Sequence, residues 1–203
     1  MNCGSLYGRA YPDAGYGEAF RRWLSSRHPV PYGSFGNGSA MRVSPIGWAA
    51  PSLKAALAEA RRSAEVTHDH PEGIKGAQAV AAAVFLARTG SSKLEIRSYL
   101  ERTFDYDLRR TLEEIRPAYV FDVSCQGSVP AAIIAFLEAD DFKDALRNAV
   151  SLGGDADTQA SIAGAISHAF GDEIPSDLEN TVRSLLPKKF VRVLDRFAAA
   201  FSG

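Results

Sequence analysis

Three observations predict an all-α protein. Apolar residues recur at helical spacing over most of the 203 residues, helix-punctuating residues stand at the ends of those runs, and alternating strand patterns are scarce. Helices are expected near residues 14–26 and 52–66. Next, Ile74, Ala77, Ala81, Val84 and Phe85 put an apolar stripe on a helix that Pro71 opens after His70 and Gly90 closes. Further helices are expected near residues 92–103, 107–115 and 128–138, the last with Ser128 as a cap followed by a first-turn Pro130. From Asp141 on, Phe142, Ala145, Leu146 and Ala149 again share one face. Helices near 155–170 and 176–186 follow, and Phe190, Leu194, Phe197 and Phe201 mark a final stripe. Tyr119–Val123 is the one strand-like piece. Residues 29–48 have no helical periodicity, and a loop of that length inside a compact protein is usually functional.

No repeat, low-complexity tract or long linker divides the chain, so residues 1–203 are read as a single domain, long enough to bury roughly 70% of its extended surface. Lys and Arg total 23 against 24 Asp and Glu, a net charge of −1 that argues against steering toward nucleic acid or an anionic membrane. Cys3 and Cys125 are too few for a disulfide framework and lack metal-ligand spacing, which fits a reducing compartment. No apolar run approaches the roughly 18 residues of a membrane span, and no basic-then-apolar leader opens the chain. A cytoplasmic location is the expectation.

Four segments could carry chemistry. Gly153-Gly154-Asp155-Ala156-Asp157-Thr158 sets two carboxylates at the start of a helix rich in small residues. Helical positions i and i+2 point about 200° apart, so both acids can face one point only if Asp155 is the N-cap. Asp oxygens and a hydroxyl suit magnesium, manganese or calcium; equally, the pair could cap the helix and interact with its dipole without a metal. Gly33-Ser34-Phe35-Gly36-Asn37-Gly38-Ser39-Ala40-Met41-Arg42 could cradle an anion on its amides, though it has neither P-loop nor Rossmann context, and a turn-rich loop is the plainer reading. His68 and His70 are two apart and Pro71 marks a boundary just after them, so they do not form a helical zinc pair; a polar pocket histidine or a helix C-cap remain open. Asp122–Pro130 reads as a capped helix start with a buried Cys125.

Taken together, Gly33–Arg42, Thr67-His68, Ser128-Val129-Pro130 and Gly153–Thr158 resemble, in order and spacing, the motifs of the ADP-ribosylglycohydrolase family, from about Tyr11 to Phe170. The resemblance implies a compact orthogonal bundle of helices of that family's type, matching its C-terminal three quarters or so. It implies a pair of magnesium or manganese ions and hydrolysis of the glycosidic bond joining ADP-ribose to a side chain or small acceptor. By the resemblance, Asp155, Asp157 and Thr158 are metal ligands, and Asp155 and Asp157 also serve catalysis. Gly36, Asn37, Gly38, Ser39, Ala40, Met41, Arg42 and His68 line the ADP-ribose pocket, and Ser124–Gly127 form its wall. The expected partner is an ADP-ribose-containing small molecule or an ADP-ribosylated protein.

The chain departs from the family in one respect. Members begin with a Gly-Asp motif and a Thr-Asp-Asp-Thr-type motif that supply further metal ligands, and here no adjacent aspartates precede Asp140-Asp141. The expectation is a start assigned too late, a truncated paralogue, or a site completed by another subunit, and a poor hydrolase in the chain as written. The alternative is a noncatalytic ADP-ribose-binding or regulatory module; a general metal-dependent phosphohydrolase fits the aspartates but not the motif order.

Overall fold

A computed structural model describes residues 3–201, with side chains from Tyr7 onward; the Cys3 side chain lies outside the described residues. Thirteen α-helices and one 3₁₀ turn make up the described chain, which contains no β-strand. The centre is α6 (Pro71–Arg88), begun by the His70 ring accepting from the Glu72 amide and by Pro71 in the first turn. Its alanines and valines are buried nearly all round, as befits a helix enclosed by neighbours. α5 (Leu53–Glu65) packs on α6 through Ala56, Ala60 and Ala64, spaced four apart so that one smooth face meets it. α9 (Cys125–Leu137), α10 (Phe142–Ser151) and α11 (Ala156–Phe170) close the other side around Phe136, Ile133, Ile162 and Ile166, all fully buried. Burial of each such side chain contributes about 1.5–3 kcal/mol. Where α6 meets α9, a Cβ on Gly76 would stand 2.5 Å from Cys125 Sγ, so only glycine permits that approach.

Other expectations changed on contact with the structure. Residues 29–48 are not wholly irregular: α3 (Gly38–Met41) lies within them, α4 (Ser44–Ala49) begins there, and both pack on α6. Their small residues and Pro45 hide any apolar period. Helix α9 begins at Cys125 with Ser124 as its cap, accepting from the Gly127 amide at 3.1 Å, rather than at Ser128. Pro130 therefore sits inside the helix. Of residues 107–115 only α8 (Leu112–Ile115) is helical, started by a Thr111–Glu114 capping box. Tyr119–Val123 is extended without forming a strand; the nearest pairing is a lone antiparallel bridge between Gly36 and Ser124.

α7 (Lys93–Phe104) matches its expected range, with Ser92 and Glu95 forming a capping box. Residues 14–26 shorten to α2 (Glu18–Ser25), preceded by α1 (Cys3–Ala10), which has no counterpart in the sequence reading. α12 (Ser176–Leu185) and α13 (Lys188–Phe201) carry no buried residue. Phe190 of α13 rests against Tyr7 and Tyr11, and Lys189 stacks over the same rings. No described helix is long and apolar enough to cross a membrane.

Candidate functional site

The site forms where the glycine loop meets the starts of α9 and α11. The Asn37 amide donates to Val123 O at 2.7 Å and the Cys125 amide to Phe35 O at 2.9 Å, so residues 35–37 and 123–125 run antiparallel for one bridge. From this clasp the Asn37 side chain reaches across the fold. Its Nδ2 donates to Asp155 Oδ2 at 2.7 Å and to Ser128 Oγ at 2.9 Å, 118 and 91 residues away in sequence. Ser128 in turn donates to Asp122 O at 2.7 Å. Asn37 and Ser128 are buried, so this chain of donors holds its geometry away from bulk water.

Asp155 is the N-cap of α11, and its side chain makes no capping hydrogen bond, which leaves the carboxylate for Asn37. Asp157 lies beside it. Burial, offset by the Asn37 bond, and then the Asp157 carboxyl push the Asp155 pKa above its ordinary value. Asp157 is held below its own by its hydrogen bond with Asp155 and by the Thr158 amide. Two carboxyls this close disfavour each other's ionisation, and the cost falls on Asp155. Thr158 is buried in the first turn, its hydroxyl 3.6 Å from Met41 Sδ. The oxygen-only donor set of Asp155, Asp157 and Thr158 fits one side of a hard divalent cation. Among the described residues, no group of three or more His, Cys, Asp or Glu side chains gathers to hold a metal ion.

The other candidate residues lie along the glycine loop or beneath it. Gly36 and Gly38 turn their bare Cα atoms to His68; a Cβ on either would lie 3.6 or 3.4 Å from His68 Nε2. His68 itself is buried, its Nδ1 2.7 Å from Thr67 Oγ1, and burial together with the nearby Arg42 charge lowers its pKa to about 4 against the opposing pull of Asp69. Ser39 and Ala40 face inward: the Ser39 hydroxyl donates to Gly73 O at 2.7 Å and anchors the loop to α6. Met41 is exposed beside Thr158. Arg42 turns away from the aspartates, donating to Ser63 O at 2.9 Å and Thr67 Oγ1 at 3.2 Å near the end of α5. Cys125 is buried, its thiol pushed up to about 11 by burial and bonded to Gly36 O, which suits a packing role.

Two residues of the site, Tyr119 and Gln159, had no functional reading in the sequence. Tyr119 donates to Gly127 O at 2.9 Å and accepts from Gln159 Nε2, bracing α9 against α11, and burial pushes its phenol up to about 12. The Asp122 carbonyl completes the Ser128 link. Neither Tyr119 nor Gln159 belongs to a spacing pattern, so no sequence signal could have found them. His168 stacks flat on Trp48 at 5.3 Å, at the far end of α11 from Asp155.

Residues 2–202 match the model of a family described as ADP-ribosylglycohydrolase. ADP-ribosylhydrolase ARH3 of Bos taurus is 31% identical over 218 residues, covering 78% of this chain and 60% of that protein. Its Homo sapiens counterpart is 29% identical over 231 residues, covering 84% and 64%. A protein of Archaeoglobus fulgidus named only as uncharacterized is 35% identical over 173 residues, covering 77% and 55%. A solved structure named ADP-ribosylglycohydrolase-related protein complex superposes with a TM-score of 0.66 at 30% identity, covering 84% of this chain and 64% of its own. The chain thus spans less than two thirds of the length of these relatives. With the match running through both the glycine loop and the aspartate pair that the fold joins, the chain belongs to the ADP-ribosylglycohydrolase family.

Proposed function

We propose that this chain carries the ADP-ribose pocket and one side of the metal centre of a hydrolase. The enzyme would cleave the glycosidic bond between ADP-ribose and a modified side chain or small acceptor. The observation that carries this reading is the Asn37–Asp155 hydrogen bond, because it sets the amide-rich loop beside the acidic pair. The relatives support the substrate class: ADP-ribosylhydrolase ARH3, and ADP-ribosylarginine hydrolase Tri1 of Pseudomonas putida at 31% identity over 145 residues, are named for it.

The residues divide the work by their chemistry. Gly36 and Gly38 leave room for a diphosphate against the loop amides, while Asn37, its side-chain donors already engaged, orients Asp155 rather than substrate. Asp155, Asp157 and Thr158 would hold magnesium or manganese, which when bound supplies a positive charge for ribose hydroxyls and a water of lowered pKa. Asp155 would offer one carboxylate oxygen to the ion while Asn37 holds the other. Each such ion takes about six oxygens, more than these three side chains provide, so full turnover needs donors beyond them.

Calorimetric titration with ADP-ribose, with and without magnesium, tests the reading together with an assay of ADP-ribose release. Binding that Asp155→Ala weakens only when magnesium is present supports it. Absence of ADP-ribose binding under either condition refutes it. The second reading is a noncatalytic ADP-ribose-binding module, recognised by metal-independent binding without release.

A further inference from the structure

We infer that Arg42 and Thr67 are positioning residues that fix His68 in the Nε2–H form, so that its ring presents a hydrogen-bond donor to whatever occupies the Gly36–Gly38 loop. The inference deepens the ADP-ribose reading and rests on it for the identity of that occupant. The Arg42 guanidinium can only donate. Its Nη2 lies 3.2 Å from Thr67 Oγ1, so the threonine oxygen is an acceptor there. The same oxygen lies 2.7 Å from His68 Nδ1.

If Nδ1 carried the proton, Thr67 Oγ1 would accept twice and its own hydrogen would be stranded in a residue only 2% exposed. No other acceptor for that hydrogen lies within reach among the described residues. The consistent assignment runs Arg42 to Thr67 to His68: Thr67 donates to Nδ1, and the ring proton sits on Nε2. Nε2 faces the two glycines, 3.4–3.6 Å from the places where their Cβ atoms would be. Among the described residues it has no acceptor of its own.

The groups facing the ring are Arg42, Asp69 and, at 6.3 Å between ring centroids, Tyr32. Burial and Arg42 outweigh Asp69 and keep the imidazole neutral at physiological pH. The donor is therefore uncharged, and its partner must be an acceptor atom such as a phosphate or ribose oxygen. A cationic histidine clamping a phosphate would behave differently, losing affinity as pH rises through the ordinary histidine range.

The test is long-range proton–nitrogen correlation on histidine-labelled protein at neutral pH, beside ADP-ribose calorimetry over about pH 5.5 to 8. Expected are an unprotonated Nδ1 and protonated Nε2 in the parent, a mixture of both forms in Thr67→Val and Arg42→Gln, and the parental form in Thr67→Ser. Affinity for ADP-ribose should be flat with pH and fall about tenfold in Thr67→Val, with recovery in Thr67→Ser. A protonated Nδ1 in the parent, a charged ring at neutral pH, or an unchanged signature in folded Thr67→Val overturns the inference. If the tautomer and its response to the variants are as expected but the parent fails to bind ADP-ribose, the ligand reading falls and the positioning role stands.

Discussion

Replacing Asn37 with alanine removes the two donors that join the glycine loop to the helix starts, and its cost follows from the geometry. The bond to Ser128 Oγ is neutral and contributes about 1 kcal/mol; the bond to the Asp155 carboxylate belongs to the class worth about 1.5–3 kcal/mol. Asp155 keeps partial access to water, which substitutes for some of the loss and places its share at the lower end. The sum, about 2.5 kcal/mol, corresponds to a melting temperature about 5–10 °C lower for a chain of this size. Its pH dependence has a definite sign. The Asn37 bond favours ionised Asp155, so its contribution is complete where that carboxyl is charged and is lost as pH falls through the raised folded pKa. The gap between parent and variant should narrow as pH falls through that pKa, leaving the share of the neutral Ser128 bond. Scanning calorimetry at neutral pH and downward through the carboxylate range measures both effects, and a cycle with Asp155→Ala isolates the pair. A coupling energy below about 0.5 kcal/mol would show that Asn37 and Asp155 act independently and would refute the reasoning.

Asp155→Asn keeps an acceptor for Asn37 but removes a carboxyl whose ionisation the fold opposes, so it should slightly stabilise the metal-free protein at neutral pH; urea titration showing a loss contradicts this. Magnesium or manganese should raise the parent's unfolding free energy, by about 2.7 kcal/mol at a hundred times Kd, with the gain fading as pH falls because Asp155 must shed its proton. Equal gains in Asp155→Ala/Asp157→Ala would remove the aspartates from the centre. Gly76→Ala drives a methyl to 2.5 Å from Cys125 Sγ and should cost about 1–3 kcal/mol. In a Cys125→Ala background that cost should shrink, and equal costs in both, read by denaturant melts, argue against the contact. Gly38→Val should abolish ADP-ribose binding while circular dichroism stays parental; a folded variant with full affinity separates the loop from the ligand.

The large helices were legible because each has an apolar stripe and a cap, as in Ile74–Phe85 behind His70-Pro71 or Phe142–Ala149 behind Asp141. Short α3 and α4 were not, since Gly38, Ser39, Pro45 and Gly47 define no apolar period and these turns form because α6 covers them. Within the candidate site, the N-cap position of Asp155 could be read from the i, i+2 geometry. The Asn37–Asp155 bond could not, because periodicity reports which face a residue occupies and not which distant face it meets. Arg42 shows the same limit: the sequence places it in the glycine loop, and packing against the end of α5 decides where its long side chain goes. Tyr119 was read as part of a strand, and its value to the site lies in a phenol reaching Gly127 and Gln159.

The peripheral position of α12 and α13 also sets an order of events. With no buried residue in either helix, they are tied down by exposed or half-exposed ion pairs, Lys143–Asp177 at 3.8 Å and Arg183 to Glu179 and Asp195, and by the Phe190 contacts with Tyr7 and Tyr11. Such contacts are individually weak and are thinned further by salt. The α6 amides, by contrast, can open only when the alanine faces around them separate. Under deuterium labelling the C-terminal pair should therefore exchange through a local opening of small free energy, and α6 only through global unfolding.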